Sequence, residues 1–111
     1  MKQFEIWWAD LPQPAGRRPV LLLSRDDAYS YLNKFIVAEI TTTIRNIRVE
    51  VPLGSRDGMR RPSVVNCDNI WTVSRQSLSG RIAALAPDRH AAVKRAVGFA
   101  FGWAELTDRV D

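Results

Sequence analysis

The sequence predicts a mainly β fold with α, a small and strongly bent sheet or half-open barrel closed by a C-terminal helix. Three observations carry this. Most of the apolar runs are short and either alternate or are nearly continuous, each ending at a cluster of Gly, Pro, Asn or Asp. The one long run at helical spacing comes last, after Pro87. Finally, 46% hydrophobic and 25% charged residues in 111 positions is the composition of one ordinary globular domain, residues 1–111.

The elements follow in order. "FEIWWADL" alternates and is aromatic, which predicts a first strand over 4–10. "PQPAGR" is a loop, with two prolines and a glycine. "RPVLLLS" is a nearly continuous second strand, and "RDDAYSYLNK" carries the helix-start residues Asp26 and Asp27 and predicts one or two helical turns. "FIVAEIT" is the third strand. "IRVEVPL" alternates, "GSRDGMRRP" is a long turn, and "SVVNCDNIWTVS" predicts one or two strands around a bend at Asp68-Asn69. "GRIAAL" is a last short strand. "PDRHAAVKRAVGFAFGWAEL" then predicts a helix whose wide apolar face (Ala92, Val93, Ala96, Val97, Ala100, Phe101, flanked by Phe99 and Trp103) can cover a small barrel and leave area for a partner subunit.

Several classes are excluded. No apolar run approaches the ~20 residues that span a bilayer, and Glu5 and Asp10 interrupt what a secretory leader would keep apolar, so a cytoplasmic protein without a membrane partner is expected. A single cysteine, Cys67, makes no internal disulfide and no metal cluster. No cofactor is indicated. The net charge is +4, and nearly all of the positive charge is arginine, whose planar fork suits phosphate and raises nucleic acid as a partner.

Residues 41–43 are three threonines where a strand should end. If the second and third strands run antiparallel, the start of one lies beside the end of the other and Arg18 comes close to Thr41. Alternation then puts Pro19, Leu21, Leu23, Ile36, Ala38 and Ile40 on a core face, with Arg18, Glu39 and Thr41 opposite. The plain alternative is a surface Arg18–Glu39 ion pair, worth about 0–1 kcal/mol. Arg17, Arg45 and Arg48 are positioned to follow a phosphate backbone, and Asn66 and Asn69 carry planar amides of the kind that read base edges; a solvated side chain is the alternative for each. The one histidine, His90, opens the last helix, where a surface role is expected, so a two-histidine ribonuclease is excluded within one chain.

"IWWADLP", "RRPVLLLSR", "VAEITTTIR", "VEVPL", "PSVVNCDNIWTV" and "RIAAL" before a helix resemble, in order and spacing, the MazF/PemK toxins of bacterial toxin-antitoxin systems. The resemblance covers nearly the whole chain. It implies a small SH3-like barrel, as in MazF, PemK and CcdB, that forms a homodimer and cuts RNA without a metal in a groove at the dimer interface. It also implies that Arg18 and Thr41 are the catalytic pair, and that a MazE-like antitoxin with an acidic, mainly disordered tail occupies the same groove. Where the family commonly has a glutamine and an arginine, this chain has Asn69 and Trp71; the indole can stack on a base or pack into the core.

The chemistry agrees with such a site. A guanidinium stays charged and is a phosphate clamp rather than an acid, while a threonine hydroxyl can hold or relay the proton of a 2′-hydroxyl. Positioning and electrostatic stabilisation would dominate. Two other classes compete: a barrel that binds nucleic acid or protein without cutting, and a CcdB-like toxin that poisons DNA gyrase, which does not need the Arg18 and Thr41 pair.

Overall fold

The computed structural model describes residues 1–109. Strands β1 (Glu5–Asp10) and β2 (Arg17–Leu22) form an antiparallel pair in register from Ile6↔Leu21 to Asp10↔Arg17, closed by the Leu11 N–H donating to the Gly16 carbonyl at 3.0 Å. The short helix α1 (Ala28–Tyr31) leads to β3 (Lys34–Thr41). β4 (Glu50–Leu53), β5 (Ser63–Ser74) and β6 (Leu78–Ala84) complete one six-stranded sheet in the order β4-β5-β3-β2-β1-β6, and every neighbouring pair is antiparallel. The expected mainly β half-barrel with a C-terminal helix is therefore what forms.

The sheet is covered on both faces near its middle. One core joins Ile6, Leu21, Ala38, Ile40, Val51 and Val65 to Val93 and Ala96 of the helix α2 (His90–Phe101). A second core on the opposite face joins Ala9, Val20, Leu22, Phe35, Val37 and Val73 to Leu11 and Tyr29. This explains why "VLLL" is continuously apolar: alternate side chains enter different cores.

It also corrects one face assignment. Leu21, Ala38 and Ile40 share the helix-covered core as expected, but Ile36 on the same face is 47% exposed, because it lies beyond the reach of the helix. Other differences are local. "IRVEVPL" becomes a strand only from Glu50, since Glu50 Oε1 turns back to accept the N–H groups of Arg45 and Asn46, both at 3.0 Å, and holds the preceding segment as a loop. β5 is one strand of 12 residues, and β6 begins at Leu78 rather than Gly80.

The single C-terminal helix expected from the sequence is two. α2 follows a 3-10 turn (Pro87–Arg89) and ends at Gly102, whose φ of 73° is left-handed; α3 (Ala104–Arg109) folds back across it. Gly98 makes the return possible, because a Cβ there would lie 2.5 Å from Leu106 Cβ. Phe99, Phe101 and Trp103 remain exposed. His90 is more enclosed than a surface role required: its ring stacks on Phe4 with centroids 3.9 Å apart, and Nε2 lies 3.2 Å from the Leu85 carbonyl.

Candidate active site

Arg18 and Thr41 stand at the same end of β2 and β3. The register pairs Val20 with Glu39, so continuing it by two residues brings Arg18 level with Thr41. The ladder stops before that point. On their other sides the strands stay paired, Arg18 with Ala9 of β1 and Thr41 with Val64 of β5.

Arg18 lines a cleft of about 510 Å³ with Ala15, Glu39, Asp68, Asn69 and Trp71. Its guanidinium is held on two sides: Nε donates to the Ala15 carbonyl at 3.1 Å, and Nη1 to Glu39 Oε1 at 2.6 Å. Its other three N–H donors have no protein partner among the described residues. The Arg18–Glu39 ion pair read from alternation is therefore real, but it is not a surface pair, since the Glu39 side chain is only 10% exposed.

Trp71 packs partly into the core, one of its two readings. It is half-buried against the second core, and it also lines the cleft, with Nε1 donating to Glu39 Oε2 at 3.0 Å. A bulge sets this up. Opposite β3 the register jumps from Ala38↔Ile70 to Glu39↔Asn66, so Cys67, Asp68 and Asn69 loop out of the ladder. Asn66 is buried at the root of that bulge, where its Oδ1 accepts the Asp68 N–H at 2.9 Å; it thus sits inside the fold, whereas Asn69 is exposed in the cleft. Burial, helped by the neighbouring Asp68 carboxylate, pushes the Cys67 thiol up to about 12.

Thr41 lines a separate cleft with Trp8, Pro19, Ile40, Arg60 and Arg61, so it lies with Pro19 and Ile40 of the expected core face and not, as alternation predicted, with Arg18 and Glu39. Its Oγ1 accepts the Thr43 N–H at 3.1 Å, which answers the threonine run in part: one hydroxyl shapes the turn that ends the strand. Arg18 and Pro19, consecutive in β2, line different clefts, because alternate side chains of the strand point to opposite faces of the sheet. Arg17 lies over the Trp8 ring, 4.5 Å from its centroid, on the Thr41 side.

Arg45 and Arg48 are elsewhere. Both lie in the exposed loop before β4, and Arg48 stacks over Phe99 at 4.3 Å beside α2. Sequence reading missed Arg60 and Arg61, which fall within a long turn, and Glu39 as a bridge between Arg18 and Trp71. The consecutive arginines were a visible signal; the Glu39 bridge depends on the bulge. Among the described residues no three His, Cys, Asp or Glu side chains come together as metal ligands, and no helix is long and apolar enough to cross a membrane.

A curled antiparallel sheet closed by a C-terminal helix, with Arg18 on β2 and Thr41 on β3 lining clefts, defines a small arginine-rich half-barrel. The family is settled by comparison: a model described as PemK-like, MazF-like toxin of type II toxin-antitoxin system matches residues 2–101, and the chain belongs to that family. Endoribonuclease MazF3 of Mycobacterium tuberculosis is 40% identical over 84 residues, covering 76% of this chain and 82% of that protein. Probable endoribonuclease MazF5 of the same organism is 44% identical over 91 residues, covering 80% and 82%. The solved structure of M. tuberculosis toxin MazF-mt6 superposes with a TM-score of 0.83 at 38% identity, covering 88% of this chain and 96% of that one. The same fold is found at 24% identity and TM-score 0.82 in a mycobacterial endoribonuclease solved in complex with its cognate antitoxin.

Proposed function

We propose that this chain is a metal-independent endoribonuclease toxin that cuts single-stranded RNA at selected sequences and so inhibits translation and growth, with Arg18 and Thr41 as its catalytic residues. The observation that carries this is the state of Arg18, which lines an open cleft and is restrained at Nε and Nη1 while its remaining donors have no protein partner among the described residues. A phosphate in that cleft meets a pre-organised clamp.

In the proposed step, the ribose 2′-oxygen attacks the adjacent phosphorus, the P–O2′ bond forms and the P–O5′ bond breaks. The 2′-hydroxyl proton leaves through the Thr41 hydroxyl, and the departing 5′-oxygen takes a proton from water. The products are a 2′,3′-cyclic phosphate and a 5′-hydroxyl. Arg18 stabilises the extra charge on the phosphate as the step proceeds. Asn69 and Trp71 flank Arg18 and would meet the bases, while Arg17, Arg60 and Arg61 continue a basic track past Thr41. Arg45 and Arg48, which lie apart from both clefts, would meet RNA only beyond the cleavage point, and Asn66 acts through the bulge it holds and not by touching a base.

The relatives named above are called endoribonucleases or toxins, which supports cutting over a non-cleaving barrel or a gyrase-directed toxin. As partners we propose a second copy of the chain, docked through the exposed Phe99, Phe101 and Trp103, and a MazE-like antitoxin whose acidic segment competes with RNA. The cytoplasm is the proposed location. Incubating one transcript with purified protein in EDTA tests the proposal: cleavage with cyclic phosphate ends supports it, and an intact transcript opposes it.

A further inference from the structure

Glu39 is an unusual residue to find inside a β-sheet. Its carboxylate is nearly buried, and a buried carboxylate is costly unless both oxygens are engaged. They are. Oε1 accepts from Arg18 Nη1 at 2.6 Å and Oε2 accepts from Trp71 Nε1 at 3.0 Å. The three side chains come from three adjacent strands: Glu39 on β3, Arg18 on β2 and Trp71 on β5. Trp71 can reach because it pairs with Val37, two residues from Glu39 on the same face, while the bulge removes residues 67–69 from between them.

We propose that Glu39 is a positioning residue for RNA cleavage, locking the Arg18 guanidinium and the Trp71 indole into one rigid unit so that a base stacked on Trp71 and the phosphate held by Arg18 are placed together. This rests on the reading of Arg18 as the phosphate clamp. The chemistry requires a carboxylate. Arg18 and Trp71 both present donors, so the group between them must accept twice, on two separate oxygens. An amide has a single oxygen and sets its N–H₂ against one of the two donors. A simple ion pair would explain Arg18 but leave the indole bond without a role. The Ala15 carbonyl fixes the other side of the guanidinium, so loss of Glu39 leaves Arg18 held by one hydrogen bond only.

The test compares parental protein with Glu39→Gln, Trp71→Phe and the double variant, measuring kcat and KM on a short RNA together with melting temperature. Glu39→Gln should lower kcat on the order of 10–100-fold, the effect of a clamp displaced by about an ångström, and change KM less. Trp71→Phe should cost only a few-fold, because a phenyl ring still stacks. The double variant should cut several-fold faster than Glu39→Gln, since without the indole donor the amide oxygen at position 39 is free to turn to Arg18. That rescue is something a merely structural role would not produce. Parental kcat in Glu39→Gln, or a double variant no faster than Glu39→Gln, overturns the inference while leaving ribonuclease activity intact. If the parental protein does not cut RNA, the functional reading falls and the inference with it. Should Glu39→Gln not fold, the Trp71 indole N–H resonance serves: it should move in Arg18→Ala without RNA, and an unmoved resonance overturns the coupling.

Discussion

Val20 and Glu39 are the last register pair between β2 and β3, and past them Arg18 keeps its pairing with Ala9 of β1 and Thr41 its pairing with Val64 of β5. The proposed catalytic residues therefore stand where the β2–β3 ladder has ended, their backbone held by the flanking strands β1 and β5 and their side chains lining separate clefts.

Removing either side chain should then abolish chemistry without unfolding the protein. Arg18→Ala and Thr41→Val are expected to lower RNA cleavage by about 100- to 1,000-fold, the usual cost of one pre-organised donor, and to relieve growth inhibition. Circular dichroism and melting temperature should stay close to the parental values. Parental cleavage by either variant would remove that residue from the catalytic pair.

Much of this was legible in the sequence, and the failures have physical causes. Strand alternation placed Leu21, Ala38 and Ile40 in one core and Glu39 with Arg18 on the other face, because periodicity survives any fold that buries a strand face. It overextended that core to Ile36, because sequence does not show where a covering helix stops. The placement of Trp71 beside Glu39 is not legible in the sequence, since the bulge at Cys67–Asn69 shifts which residues face one another across strands. The helix break was signalled by Gly98 and Gly102, but the apolar run from Phe99 to Leu106 concealed it.

Gly98→Ala should show how α3 is held. Alanine raises helix propensity by about 1 kcal/mol, yet its Cβ would meet Leu106 at 2.5 Å, so the net expectation is destabilisation by about 1–3 kcal/mol. Hydrogen exchange should rise at residues 104–107 before it rises in the sheet. An unchanged or raised melting temperature would show that α3 contributes little.

Alkaline stability should decline in a defined window. Burial raises Cys67 from 9.0 and Tyr29 from 10.0, each to about 12. Between those values the unfolded chain has lost protons that the folded protein keeps, so stability is complete below pH 9 and falls as pH rises towards 12, by about a few kcal/mol in all. Cys67→Ala should flatten the first part of that decline in urea titrations. The native thiol should also resist alkylation at about pH 8 and react once the protein unfolds.

The aromatic group on α2 gives a test of self-association. Phe99 is 43% exposed near the end of α2, and the exposed Phe101 and Trp103 pack on each other with ring centroids 4.8 Å apart. Phe99→Glu should weaken a dimer by about tenfold or more, because a carboxylate buried at an interface costs several kcal/mol. Light scattering that reports a parental monomer at tens of micromolar would contradict this use of the surface.

The central claim is that the RNA cuts itself through its own 2′-hydroxyl, positioned by Arg18 and Thr41. A single 2′-deoxy nucleotide on the 5′ side of the cleavage point tests it most directly. The account predicts that the modified RNA still binds in EDTA and is not cut, whereas the all-ribose RNA yields 2′,3′-cyclic phosphate and 5′-hydroxyl ends. Cleavage of the 2′-deoxy substrate at a comparable rate would contradict it.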